Sequence, residues 1–394
     1  MARKTVANLR DSVSGILTGL ELNNVTNLNG ALERTARELA TRIYIPDTET
    51  HQSLTLYDGV TDYTAPTDIY GAGLIDLAPQ GISRTILDYV IKQPQAVWDR
   101  TKAYLENGTH IAFSFIKGVG RIRIVSSRPT PKIELDPLTA TTGWTAAGSA
   151  SGLTKDSTVF WQSPAALRML LTRNAVVTLT KTIPSQDFTN YTGVGVVFLA
   201  IRTPDATNLS SIAVRLGSSS SAYYSVSSTT GFLGAWTVND WLLVALDLST
   251  ATTTGSPTAT AITYAQIRVT HAATITNFYV GQLFISLPSP QDLIYQAASF
   301  FQTSGSNPSQ TITNTGDSVL LNDAAYVIYE YECASTIAQQ QGGTLSSGII
   351  AEIDSKLNGK RARNGMIVQL GLYDIYRGEN PKQELRSISN YLDD

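Results

Sequence analysis

Charge is scarce in this chain of 394 residues. Asp, Glu, Lys and Arg make up 15% of it, against about 25% in an average soluble protein. The 29 basic and 32 acidic residues leave a net charge of −3. That balance excludes a polybasic nucleic-acid binder and an acidic-tail protein. Cys333 is the only cysteine, so an intrachain disulfide framework is excluded, and a lone thiol fits a reducing compartment. The three histidines, His51, His110 and His271, are far apart in sequence. None falls in a local metal spacing such as HExxH, and Cys333 has no CxxC partner. GxSxG and Walker A motifs are absent, and Gly118 and Gly120 read as turn residues rather than as part of GxGxxG. No run approaches about 18 apolar residues, so no membrane-spanning helix is expected. Asp11, Ser12 and Ser14 interrupt the start of the chain, so no signal peptide is expected. These absences lead to the expectation of no enzyme activity, no metal and no cofactor.

What is present is unevenly distributed. Between Pro137 and Leu287 only 12 of 151 residues are charged, none of them Glu, while 44 are Ser or Thr. The remaining 243 residues carry 49 charges. Two compositions in one chain imply two folding units. Both seams carry prolines, in Arg128-Pro-Thr-Pro-Lys132 and Leu287-Pro-Ser-Pro-Gln291, where proline stops helix and sheet alike. The reading is a domain at 131–288 inserted into a second one, formed by residues 1–130 and 289–394.

Periodicity fills in the elements. Leu9, Val13, Ile16, Leu17 and Leu20 form one helical stripe, and Leu32, Ala36, Leu39, Ala40 and Ile43 a second. Ala325, Ile328, Tyr329, Cys333, Thr336 and Ile337 form a third. Ile349, Ile350, Ile353 and Leu357 extend the helical pattern, and a polar tail follows Pro381. Two hairpins are expected in the first flank, one at 53–57 with 60–63 around Asp58-Gly59, the other at 110–115 with 121–125. The middle segment alternates at 176–180, 194–198, 211–215, 241–246, 265–269 and 278–280, the pattern of a β-sandwich. The expected fold is therefore α+β and multidomain: a helical-bundle core with short β-hairpins, plus an inserted all-β jelly-roll sandwich.

Three groups of side chains stand out. Four of the five tryptophans, Trp144, Trp161, Trp236 and Trp241, fall in the middle segment. Trp is a common sandwich core residue and also a sugar-stacking residue; Trp144, Trp161 and Trp236, with the Tyr223-Tyr224 pair in a Ser-rich stretch, are the candidates for stacking. Lys356, Lys360, Arg361 and Arg363 form the one basic cluster, either a solvated helix face or a contact with a neighbouring subunit or nucleic acid. In the tail, Leu385, Ile388, Tyr391 and Leu392 are apolar, with Lys382 and Arg386 beside them. Such a segment folds back on its own helices or docks on a partner.

Two family resemblances follow from these residues. Leu56-Tyr-Asp-Gly-Val-Thr-Asp-Tyr-Thr-Ala-Pro66 and Leu372-Tyr-Asp-Ile-Tyr-Arg-Gly-Glu-Asn-Pro381 resemble the head-to-tail adaptor (connector) proteins of tailed bacteriophages. That resemblance implies a ring of twelve copies at the head–tail junction of a virion, made in the host cytoplasm. It implies a portal partner docked by 382–392, a further tail or neck protein, and DNA passing through the lumen. In the insert, Asp240-Trp-Leu-Leu-Val-Ala-Leu-Asp-Leu-Ser249, Ile262 to Val269 and Asn277 to Ile285 resemble galactose-binding-like jelly rolls and carbohydrate-binding modules. Their final strand often carries an acidic residue for calcium; here it reads Val280-Gly281-Gln282. The main expectation is thus a structural adaptor protein. The alternative is a carbohydrate-binding adhesion or decoration protein with a glycan partner.

Overall fold

The computed structural model describes residues 4–17, 28–40, 48–79, 90–92, 111–116, 120–126, 132–148, 150–161, 164–172, 175–305, 307–321 and 323–340. The first flank contributes α1 (Val6–Ile16), α2 (Leu28–Ala40), β1 (Glu49–Leu56), β2 (Asp62–Thr64), β3 (Ile69–Pro79), β4 (Val90–Lys92), β5 (Ile111–Ile116) and β6 (Arg121–Ser126). The middle contributes β7 (Lys132–Asp136), β8 (Thr145–Ala147), β9 (Ala150–Asp156), β10 (Ala166–Leu171), β11 (Ala175–Gln186), β12 (Val196–Arg202), β13 (Leu209–Ser219), β14 (Ala222–Ser228), β15 (Trp241–Asp247), β16 (Thr252–Thr254), β17 (Ile262–His271) and β18 (Ile275–Ser286). The second flank adds β19 (Ser289–Ala297), β20 (Phe301–Gln302), β21 (Pro308–Ser309), β22 (Ser318–Val319) and α3 (Asp323–Gln340).

The middle strands make two antiparallel six-stranded sheets. The first runs β15-β12-β18-β10-β9, with β7 also on β18, and the second runs β16-β14-β13-β17-β11-β8. Alternation explains the second sheet: in β17, Ala265, Ile267 and Val269 are buried while Tyr264, Gln266, Arg268 and Thr270 are not. Its apolar face meets Val197, Leu199 and Ile201 of β12 and Val280, Leu283 and Ile285 of β18 in one core. The first sheet breaks the alternation. In β12, residues 196–201 are all buried, as expected of a strand covered on both faces. Val196, Phe198 and Ala200 point away from the sandwich core and pack with Leu56, Val60, Tyr63, Ile122 and Ile124 of the first flank.

The stretch Leu56 to Tyr63 forms this seam. Tyr57 meets Phe198 edge-on at 5.1 Å, and Phe198 stacks on Phe284 at 5.2 Å. Gly59 has φ +86°, and a Cβ there would sit 3.0 Å from the Phe284 ring. Glycine is needed here both for the left-handed turn and for the close approach. The Asp58 amide donates to Ser286 Oγ at 2.9 Å, and the Tyr57 amide donates to the Tyr63 hydroxyl at 2.9 Å. The phrase that carried the adaptor resemblance is thus the latch of the flank onto the sandwich.

The expected helical-bundle core is not what the chain builds. Among the described residues the protein is mostly β, in several sheets, with three α-helices. Those helices pack around Leu9, Val13, Leu32, Ala36, Tyr329 and Cys333 together with Phe301 and Val319 of two short strands. The Tyr329 hydroxyl donates to the Leu32 carbonyl at 2.7 Å, tying α3 to α2. Among the described residues, the other regular elements of the flanks are strands. β19 lies between β1 and β3, and β2 joins the β4-β5-β6 group. The Asp58-Gly59 turn therefore closes no hairpin: β1 pairs with β19, and β2 with β6. The hairpin of β5 and β6 does form. The later helical pattern, the basic cluster and the tail, 341–394, lie outside the described residues.

Candidate functional site

The flank covers only part of the outer face of the first sheet. Beyond the cover, Trp241, Arg202, Tyr279 and Arg168 stand in one cross-strand row, because Arg202 pairs with both Trp241 and Tyr279, and Arg168 pairs with Tyr279. Trp161, just ahead of β10, lies beside this row with its ring 6.2 Å from that of Trp241. The Trp241 and Tyr279 rings are 6.3 Å apart, and the Arg202 guanidinium sits 5.6 Å from the Tyr279 centroid. Gly281 forms the floor. A Cβ there would come within 3.2 Å of the Trp241 ring and 3.3 Å of Trp161 Cβ, so the missing side chain lets both tryptophans settle onto the sheet.

Two local devices hold these rings. Asp156 Oδ1 accepts from the Thr158 amide at 2.8 Å, the Thr158 hydroxyl at 2.7 Å and the Val159 amide at 3.2 Å. The turn leading to Trp161 is thereby fixed. The hydroxyl and amide of Thr158 are the main reason that this carboxyl lies below its usual range. On the other side, the β14–β15 connection folds against the sheet. Its Phe232 amide donates to the Leu243 carbonyl at 2.7 Å, and Arg202 Nε donates to the Asn239 carbonyl at 2.8 Å.

Between this loop and the flank lies a cavity of about 290 Å³, lined among others by Trp161, Trp241, Phe232, Asp62, Arg121 and Asp240. Asp62 is held by Arg123 at 2.7 and 3.0 Å. Apolar rings beside carboxylate and guanidinium groups are the make-up of a small-ligand site: rings supply contact area, and the polar groups set orientation. Among the described residues no group of three His, Cys, Asp or Glu is placed to hold a metal ion, and no helix is long and apolar enough to cross a membrane.

The sequence candidates scatter. Trp161 lines the cavity. Trp144 does not present a ring for stacking. It is buried in the sandwich core, with its indole N–H 3.4 Å from Asp136 Oδ1 and the Lys181 ammonium 5.7 Å from its centroid. Trp236 and Tyr224 are half-buried against the same core. Tyr223, one residue from Tyr224, points the opposite way, onto the second sheet's outer face. Trp241, one of the four tryptophans of the segment, and Tyr279 are not among the stacking candidates. Only their register against Arg202 brings them together, and register is not written in local sequence. Lys356, Lys360, Arg361 and Arg363, and the tail residues Lys382, Leu385, Arg386, Ile388, Tyr391 and Leu392, lie outside the described residues.

No protein-family model matches this sequence, and no curated protein does. Solved structures do. The chain is similar to a family 30 carbohydrate-binding module at 12% identity and TM-score 0.33, covering 40% of this chain and 87% of that one. It is similar to a carbohydrate-binding module of the β-sandwich superfamily at 13% identity and TM-score 0.31, covering 60% and 98%. It also matches part of bacteriophage CBA120 tailspike protein 4 at 12% identity and TM-score 0.27, covering 39% and 21%. The structural neighbours are thus β-sandwich carbohydrate-binding modules and a phage tailspike domain. The head-to-tail adaptor resemblance finds no support among them.

Proposed function

We propose that this protein binds carbohydrate, and that the cavity bounded by Trp161 and Trp241 is where a sugar chain seats. The supporting observation is the ring set itself. Trp161, Trp241 and Tyr279 succeed each other at 6.2 and 6.3 Å over a glycine floor, and Asp62, Asp240 and Arg121 reach the same cavity. The flat CH faces of a pyranose pack on such rings, while its hydroxyls donate to the carboxylates and accept from the guanidinium. An indole at the centre of a contact typically contributes about 2 kcal/mol or more, roughly thirtyfold in affinity. The test is affinity electrophoresis of the full chain through a panel of neutral polysaccharides, with Trp161→Ala and Trp241→Ala beside the parent. Retardation by at least one polymer, lost in both variants while their melting curves hold, is the expected result. Absence of retardation across the panel, or retardation that both variants keep, refutes the reading.

A further inference from the structure

The opposite face of the sandwich carries a second set of ring and guanidinium groups, independent of the cavity. Among the described residues, the outer face of the second sheet has no buried hydrophobic side chain; Val176 on it is 37% exposed. Tyr223 of β14 and Tyr264 of β17 both pair with Gly217 of β13. Their rings are 6.4 Å apart, inclined at 35°, with a residue that has no side chain between them. Glycine is required there, since a Cβ would meet the Ala222 carbonyl oxygen at 2.1 Å.

Arg215 lies two residues along β13 on the same face. Its guanidinium sits 4.6 Å from the Tyr223 centroid. Its Nη1 donates to Gln266 Oε1 at 3.2 Å, and Gln266 Nε2 donates in turn to Thr180 Oγ1 at 3.0 Å. Stacking and this relay hold the guanidinium plane in place, and Nε is buried without a hydrogen-bond partner. Arg268, two residues beyond Gln266 on β17, is the diagonal neighbour of Arg215. It has no ion-pair partner among the described residues. The outer-face positions of β8, β11, β17, β13, β14 and β16 include no Asp and no Glu.

We propose that this face is a binding site for an acidic polysaccharide, one whose sugar units carry carboxylates. The rings offer a stacking pair, and the two arginines offer planar donor forks that match a carboxylate. Among the described residues of this sheet two cations face outward, too few for a duplex, whose binders neutralise many closely spaced phosphates. A uronic-acid polymer carries one carboxylate per sugar and a ring to stack, the two chemistries that this face offers together.

The probes are polygalacturonate and alginate, a highly methyl-esterified pectin with the charge masked, and duplex DNA. The full chain is run against each by affinity electrophoresis at low and high salt. Tyr223→Ala, Tyr264→Ala, Arg268→Gln and Trp161→Ala are compared, each checked by thermal melting. Retardation by an acidic polymer, weakened by salt and by esterification, is expected. Arg268→Gln and the tyrosine variants are expected to weaken it about tenfold or more, and Trp161→Ala to leave it unchanged. Loss in Trp161→Ala alone would move the binding to the cavity and overturn the proposal. So would equal retardation by the esterified polymer, retardation by DNA only, or none by either acidic polymer.

Discussion

Phe284→Ala tests whether the flank is latched to the sandwich as described. The Phe284 side chain is fully buried, stacked on Phe198 at 5.2 Å and roofed by the Lys132 ammonium at 4.7 Å. It belongs to the seam cluster with Leu56, Val60, Tyr63 and Ile122, not to the sandwich core. Truncating a buried Phe costs about 3–5 kcal/mol. If that loss falls on the seam, opening of the flank becomes easier by the same amount, a factor of about a hundred to several thousand. Hydrogen exchange reads this directly. The amides of Asp58, bonded to Ser286 Oγ, and of Ile124, bonded to the Thr61 carbonyl, should exchange faster by that factor. Those of Val214 and Ile267, in the middle of the second sheet, should barely change. Glycan retention should fall as well, because Asp62 and Arg121 move with the flank. Equal acceleration at Val214 and Ile267 would show that the ring supports the whole sandwich and would refute the latch. Cutting the sandwich out at 131–288 uncovers the same surface, namely Val196, Phe198, Ala200, Leu243 and Phe284.

Two further predictions concern titratable groups. Asp156 titrates below the usual carboxylate range when folded. The order it gives to the Trp161 turn is therefore full above the unfolded value and lost as pH falls through the lower folded one. Binding at the cavity should fade reversibly in that acidic window, and Asp156→Asn should diminish the pH dependence; an unchanged profile in the variant refutes the assignment. Cys333 is buried in the three-helix cluster, and burial pushes its thiol up to about 12. Its contribution to stability is whole below the ordinary thiol range and declines as pH rises from there toward 12. A thiol reagent should label it slowly at neutral pH in the native protein and fast after denaturation; rapid native labelling refutes the packing.

The second sandwich sheet was legible in the sequence, and the seam was not, for a reason visible in β12. Residues 265–269 and 211–215 alternate because one side of each strand faces water, and alternation can be read from a single segment. Val196 to Ile201 is apolar throughout. A continuous run announces burial on both faces, yet what covers the second face comes from residues 56–65 and 122–124. Nothing local to β12 names them. At the proline-rich exit, Pro290 sits at the start of β19, opposite Thr55, where proline is tolerated. Once β19 lies between β1 and β3, the Asp58-Gly59 turn is free to rest on Phe284 instead of closing a hairpin.

The candidate sites show the same division at the level of side chains. Trp144 and Trp161 look alike as residue types in a Ser- and Thr-rich segment. One lies in the core beneath Lys181, and the other lines a cavity. The difference is set by partners far along the chain. Asp136 and Lys181 close over Trp144, whereas Gly281 gives Trp161 a floor without covering it. Tyr223 and Tyr264 are 41 residues apart in sequence and meet only because Gly217 pairs with both. A binding surface on a sheet is a property of register. The sequence supplies its rings and its glycines one strand at a time, and the pairing of strands decides which of them share a row. Gly217 and Gly281 mark both candidate sites by the same physical means. A Cβ would collide with the Ala222 carbonyl at Gly217 and would crowd both tryptophan side chains at Gly281, and aromatic side chains occupy the space that remains.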